Sequence, residues 1–288
     1  MTLSILIASA LGILPGFKCI DTTRVTAVYE VYENLYADSR ELQYHPCILE
    51  VGDNCSTYYC INGWSNYLFE KCKWNKNLYD SYKVEIVKLA GTAFETGREN
   101  GLQSLDRPYE YVIKHYPNET KLTHTFSRWD LYKYEEELPQ FDWQLEEGDT
   151  TLLGYTCHFA SCQFRGRTWR AAYALDIPIS EGPWKLCGLP GLILYAKDSK
   201  NDFTFVCDNL SSIARPMFIP DLRFSSMSPE RKQYLDKLMR KDPYAYNRIV
   251  NPPRPIPEEL RPYIKETPKP AIPSHEACLI EIIEEKKK

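Results

Sequence analysis

GPWKLCGLPGLILYAKD, Gly182 to Asp198, combines three glycines and two prolines with an almost unbroken apolar run. Gly188 and Gly191 are the residues that supply a positive φ or a close backbone approach, and Pro190 stiffens the turn between them. Leu192, Ile193 and Leu194 then read as the start of a strand buried on both faces. The stretch does not read as a phosphate cradle. It lacks the lysine and hydroxyl of a P-loop, has no dinucleotide-type glycine triad, and carries Pro190 where a backbone donor would be needed. It specifies shape rather than chemistry.

Outward from this turn, period-two alternation dominates. In YKVEIVKLA, Tyr82, Val84 and Ile86 oppose Lys83 and Glu85, and in YEYVIKHY, Tyr109, Tyr111 and Ile113 oppose Glu110 and Lys114. VTAVYEVYENLY, HPCILEV, STYYCI, LTHTFS, FDWQLE, LLGYTCHF, TWRAAYAL, GLILYA and DFTFVC are further strand candidates, most of them separated by turn residues. Aromatic residues make up 13% of the chain, with 21 tyrosines against 13 glycines, a composition suited to half-buried pleated surfaces. Short strands without long intervening helices predict a mainly β fold: a curved antiparallel sheet, a sandwich or an incomplete barrel.

One late helix is expected in SPERKQYLDKLMRKDP. Ser228 is its N-cap, Pro229 its first residue, and Tyr234, Leu235, Leu238 and Met239 recur at helical spacing. Beyond it, NPPRPIPEELRPYIKETPKPAIP forms a Pro-rich extension and EEKKK a charged end. The predicted organisation is a leader at 1–19, a β domain at 20–225, a helical segment at 226–250 and a tail at 251–288.

The opening MTLSILIASALGILPG is an apolar run of signal-peptide length, too short to span a bilayer comfortably, which predicts export. In an exported chain the ten cysteines are expected to form disulfides rather than metal sites. Spacing alone does not give their connectivity. Cys157 and Cys162 lie roughly 16 Å apart on a flat strand, so they bridge only if it bends. A net charge of -4 supplies no basic field for nucleic acid.

Candidate chemistry is sparse. Cys157, His158 and Cys162 in CHFASC offer soft-metal ligands or a thiol and base, but a strand places Cys157 and His158 on opposite faces, and paired zinc spacings are missing. Arg165 and Arg167 flank Gly166, which lets something approach closely between them, on one side of a predicted strand, as a fork for a carboxylate or phosphate or as partners of the chain's own acids, the latter being favoured. The acidic run YKYEEELPQFDWQLEEGDT reads as solvated charge. No catalytic set, metal site or cofactor is predicted.

The segment Leu152–Asp198 resembles the GLPGLI family of exported Bacteroidota proteins. The landmarks are Gly154-Tyr155, Cys157, Arg165-Gly166-Arg167, Pro178 in DIPI, Gly182-Pro183-Trp184 and the hexapeptide Gly188-Leu189-Pro190-Gly191-Leu192-Ile193. The chain departs from the family at Ala172-Tyr173-Ala174-Leu175 and in Cys162, Cys187 and Cys207. The resemblance implies an exported envelope protein, encoded near outer-membrane transport systems, without an established activity. The expectation is a non-enzymatic periplasmic or surface module, peripheral to the membrane, whose concave β face meets a lipid, a peptide or an outer-membrane transport partner. Arg165, Arg167 and Trp184 are its candidate binding residues. The alternatives are a hydrolase or thiol-dependent enzyme using Cys157, His158 and the arginine pair, and a structural scaffold.

Overall fold

The computed structural model describes residues 17–34, 42–60, 109–127, 131–220, 224–241 and 278–282. The strand expected in YKVEIVKLA, Cys72, most of the leader and the Pro-rich extension lie outside these residues. Fourteen strands are present among the described residues: β1 Phe17–Thr22, β2 Val25–Glu33, β3 Gln43–Val51, β4 Ser56–Cys60, β5 Tyr109–Lys114, β6 Lys121–Ser127, β7 Leu131–Glu137, β8 Gln144–Leu152, β9 Tyr155–Phe164, β10 Arg167–Ala174, β11 Leu192–Asp198, β12 Phe203–Ser211, β13 Pro216–Pro220 and β14 Ser225–Ser226. The single helix among the described residues, α1, is Pro229–Lys241.

Twelve strands form one open sheet in the order β14-β7-β6-β5-β4-β3-β2-β12-β11-β10-β9-β8. Two meanders meet where β2 pairs β12, and every pair is antiparallel except β14 with β7. The expected mainly β, antiparallel fold is therefore what the chain adopts. The sheet curls strongly. Tyr58 on β4 and Phe205 on β12 are three strand spacings apart, about 14 Å in a flat sheet, yet their ring centroids lie 6.4 Å apart on the concave side. Trp169 on β10 continues the cluster, 5.9 Å from Phe205.

The convex side carries a small second sheet. β1 and β13 pair with each other, and this ribbon lies over β3–β5, where the Tyr111 hydroxyl donates to the Phe218 carbonyl at 3.1 Å. Asp21 on β1 accepts from the amides of Asn54 at 2.6 Å and Cys55 at 3.2 Å, securing the β3–β4 turn. With both faces covered, β4 is buried throughout. The residues Phe17–Cys19, at the expected leader boundary, belong to β1.

Local chemistry explains most boundaries. The Ser228 Oγ accepts from the Arg231 amide at 3.1 Å, so the predicted cap is formed. Leu235 is buried while Tyr234 is 48% exposed. LLGYTCHF divides into the end of β8 and the start of β9, because Leu153 (φ 50°) and Gly154 (φ 84°) make a two-residue hairpin turn. FRGR does the same. Arg165 (φ 49°) and Gly166 (φ 72°) form the β9–β10 turn, so Arg165 lies in the turn and Arg167 opens β10, rather than both standing on one side of a strand.

The two roles expected of Gly188 and Gly191 divide between them. Positive φ occurs at Gly188 (93°) but not at Gly191. A Cβ on Gly191 would instead stand 2.6 Å from the Ala174 carbonyl carbon and nearer still to its oxygen, so the requirement there is close packing against the end of β10. Cys55, Cys157, Cys162, Cys187 and Cys207 are buried thiols rather than halves of bridges. Burial pushes Cys55, Cys162 and Cys207 up to about 12 and Cys187 up to about 11, which keeps these thiols protonated.

A candidate binding groove on the concave face

Between β10 and β11, residues 175–191 turn inward and fill one end of the concave face. Two lysines hold them there. The Lys114 Nζ on β5 is fully buried, pairs with Glu181 Oε2 at 2.5 Å, and donates to the carbonyls of Gly182 (2.8 Å) and Leu186 (3.1 Å). Lys185, carried by the loop and also fully buried, donates to the Tyr134 hydroxyl at 2.9 Å and to Glu136 Oε1 at 2.6 Å, and pairs with Glu281. Each ammonium thus meets three oxygens, which is what makes a charge tolerable away from water. Burial opposes ionisation of Glu181, but Lys114 and His115 outweigh it and hold its carboxyl below the usual range.

Beside this loop lies a cavity of about 90 Å³. Its apolar wall includes Tyr58, Val112, Trp184, Phe203 and Phe205, and its polar rim includes Glu110, His124 and Lys232. Lys232 reaches in from α1, 2.7 Å from Asp236 and 3.4 Å from Glu110. Burial works against its charge, but these carboxylates prevail and raise its pKa. His124 contacts the Tyr134 hydroxyl through Nδ1 at 2.6 Å and Glu110 through Nε2 at 2.7 Å. Burial lowers its pKa despite Glu110, so the imidazole is neutral at pH 7.

The groove is roofed by α1 and by a short irregular segment, residues 278–282. Arg167 donates through Nε (2.8 Å) and Nη2 (2.6 Å) to the Leu279 carbonyl, and its Nη1 pairs with Asp198 at 2.6 Å and Asp202 at 2.9 Å. The Ile282 amide donates to the Arg165 carbonyl at 2.8 Å, and Gln233 Nε2 donates to the Glu281 carbonyl at 2.7 Å. Ile282 crosses directly over Gly166, where a Cβ would come within 2.7 Å of the Ile282 Cβ. The close approach expected at Gly166 is therefore made, by the chain's own C-terminal segment.

The candidate residues divide clearly. Trp184 lines the groove and Arg167 holds its roof at the Leu279 carbonyl, while Arg165 pairs with Glu136 and lies 4.0 Å from Glu281. Favouring the chain's own acids as arginine partners agrees with these contacts. Cys157 and His158 point to opposite faces of β9, and His158 pairs with Asp149 at 2.6 Å, so the thiol and imidazole do not form a dyad. Leu189, Leu192 and Ile193 are buried, whereas Gly154, Pro178 and Pro190 lie on exposed turns, Tyr155 is half-buried, and Gly182 and Pro183 are buried. A Cβ on Gly182 would press on Ile193, at 2.8 Å from its Cδ1. Lys114, Lys185, Glu136, His124 and Glu281 were not singled out from the sequence.

A second, open cleft of about 980 Å³ lies at the other end of the loop, lined by His115, Glu181, Asn54 and Gly188 among others. His115 Nε2 sits 2.9 Å from Glu181 Oε1 and Nδ1 2.9 Å from the Glu119 carbonyl. The Glu181 contact raises its pKa against the effect of burial. Its carboxylate is shared with Lys114, so the dyad also braces the loop.

No family model and no curated protein matches the chain. Among solved structures, two crystal forms of PNGF-II are similar in part, with TM-scores of 0.45 and 0.46 and 11% identity, over 75% of this chain and 33% of theirs. The chain thus spans about a third of the length of those proteins, at a level of likeness that carries no functional inference.

Proposed function

We propose that this chain is a non-enzymatic, exported binding module of the cell envelope, and that its ligand site is the concave groove under α1. The observation that carries the reading is the roof. One face of a long curled sheet is covered by separate short segments, held largely by side-chain hydrogen bonds and ion pairs, over an apolar wall with a few convergent polar groups. Export and envelope placement rest on the opening apolar run and on the GLPGLI resemblance. An outer-membrane transport component and an apolar ligand are the partners this reading accommodates.

The test uses the full chain purified under native conditions, extracted with organic solvent and analysed by mass spectrometry beside a pull-down from envelope extract. An apolar ligand or a retained partner is expected, and Trp184, at the groove wall, should report its removal as a change in fluorescence. Protein that carries nothing, retains nothing and shows no change in Trp184 emission on titration with lipids or apolar peptides would sink the reading.

A further inference from the structure

We infer that the groove is a peptide site, and that residues 278–282 occupy it in cis as an exchangeable ligand of the same chemistry as its partner: a short apolar segment bearing one carboxylate. The inference rests on the binding role proposed above and specifies the ligand class.

The docked segment shows how such a peptide is read. Three of its main-chain groups are engaged, namely the Leu279 carbonyl by Arg167, the Glu281 carbonyl by Gln233 and the Ile282 amide by the Arg165 carbonyl. Main-chain contacts of this kind recognise a backbone whatever its side chains. Selectivity comes from the carboxylate, which Glu281 places against Lys185 with Arg165 nearby. Burial raises the cost of that charge, and Lys185 more than compensates, holding Glu281 below the ordinary carboxylate range. Apolar contact comes from Leu279 and Ile280, which help line the cavity.

The attachment is of the kind that exchanges. The segment adds no strand to either sheet, and residues 242–277 separate it in sequence from α1. Because the segment and the groove belong to one chain, docking of the segment is an intramolecular event. A weak intrinsic affinity therefore suffices to close the groove, and a competing peptide of the same chemistry suffices to open it. Gly166 completes the site, because any side chain there would collide with the passing backbone at Ile282.

The experiment uses full-length chains and a labelled peptide of sequence EACLIEIIE, residues 276–284, followed by fluorescence anisotropy. The full-length Glu281→Lys variant can no longer seat its own tail by the Lys185 contact. The peptide should bind it at least tenfold more tightly than it binds the unaltered chain, while a peptide carrying the same Glu281→Lys change should bind neither. In the unaltered chain, hydrogen exchange at the Ile282 amide should run at least a hundredfold faster than at Trp169 and Ala171 on β10. Failure of the peptide to bind a folded Glu281→Lys chain, or exchange at Ile282 as slow as at β10, would make the tail a permanent part of the core and overturn the inference. If lipid loads the groove and peptide does not, the binding role stands and the peptide class falls; if neither loads, both fall.

Discussion

At Gly191 the backbone of the turn passes so close to the end of β10 that a hydrogen is the largest substituent that fits. Gly191→Val should destabilise by several times the ~1 kcal/mol typical of point changes, and Gly191→Ala should do nearly as badly, since the collision begins at Cβ. Positive-φ strain alone would instead give Gly191→Ala a cost of only about 1–2 kcal/mol, so denaturant melts of the two variants separate the explanations. Glu50 makes a different prediction. It is buried between the curled sheet and the β1–β13 ribbon, accepts from Thr57 Oγ1 at 3.3 Å, and burial pushes it up to about 7 despite the charge of Arg215. The folded chain then holds a proton that the unfolded chain releases. This contribution to stability is complete below about pH 4.5 and is lost as pH rises towards 7, amounting to on the order of 3 kcal/mol. Glu50→Gln should flatten that part of the stability profile and raise the melting temperature at pH 8 relative to the unaltered chain.

Among elements, β7 shows why part of the site stayed illegible. LYKYEEE looks like solvated charge because three glutamates follow one another, yet strand alternation sends Tyr134 and Glu136 inward. The partners that make this tolerable, Lys185 and Arg165, lie far away in sequence. No local pattern distinguishes an acid awaiting a distant lysine from one facing water. By contrast, β2, β10 and α1 carry their signals locally, in β-branched and aromatic alternation and in the Ser228-Pro229 start, and could be read directly. FRGR was half legible: Gly166 marked a close approach, but two consecutive positive-φ residues were needed to see a turn. The loop at 175–191 acts as a unit clamped at Lys114 and Lys185. Lys114→Ala would strand Glu181 without its main counter-charge and is expected to cost about 3–5 kcal/mol. Lys114→Ala combined with Glu181→Ala should recover part of that loss, as a double-mutant cycle in urea would show.

For the whole molecule, an open twelve-stranded sheet poses a problem of edges. At one end, among the described residues, β8 has no strand on its outer side, with Leu145 71% exposed, and such an edge is a template for association with other strands. The strand limits this in two ways. Its pairing with β9 slips between Glu146 and Asp149, at Gly148 with φ 93°, which breaks the flat ladder. Glu147 adds charge along the same edge, beside Glu146 and Asp149, which pair with Arg170 and His158. Glu147→Val together with Asp149→Val should leave the fold intact and increase concentration-dependent association, read by light scattering; unchanged scattering would show that the bulge alone protects the edge.

The sealed amines at 114 and 185 give this chain an internal clock. An acylating reagent acts on lysines it can reach, so in native buffer these two positions should be modified only as fast as the loop lifts off the sheet. Mass spectra taken over time would then convert their slow labelling into an opening rate, against the quickly modified surface lysines of the same molecule.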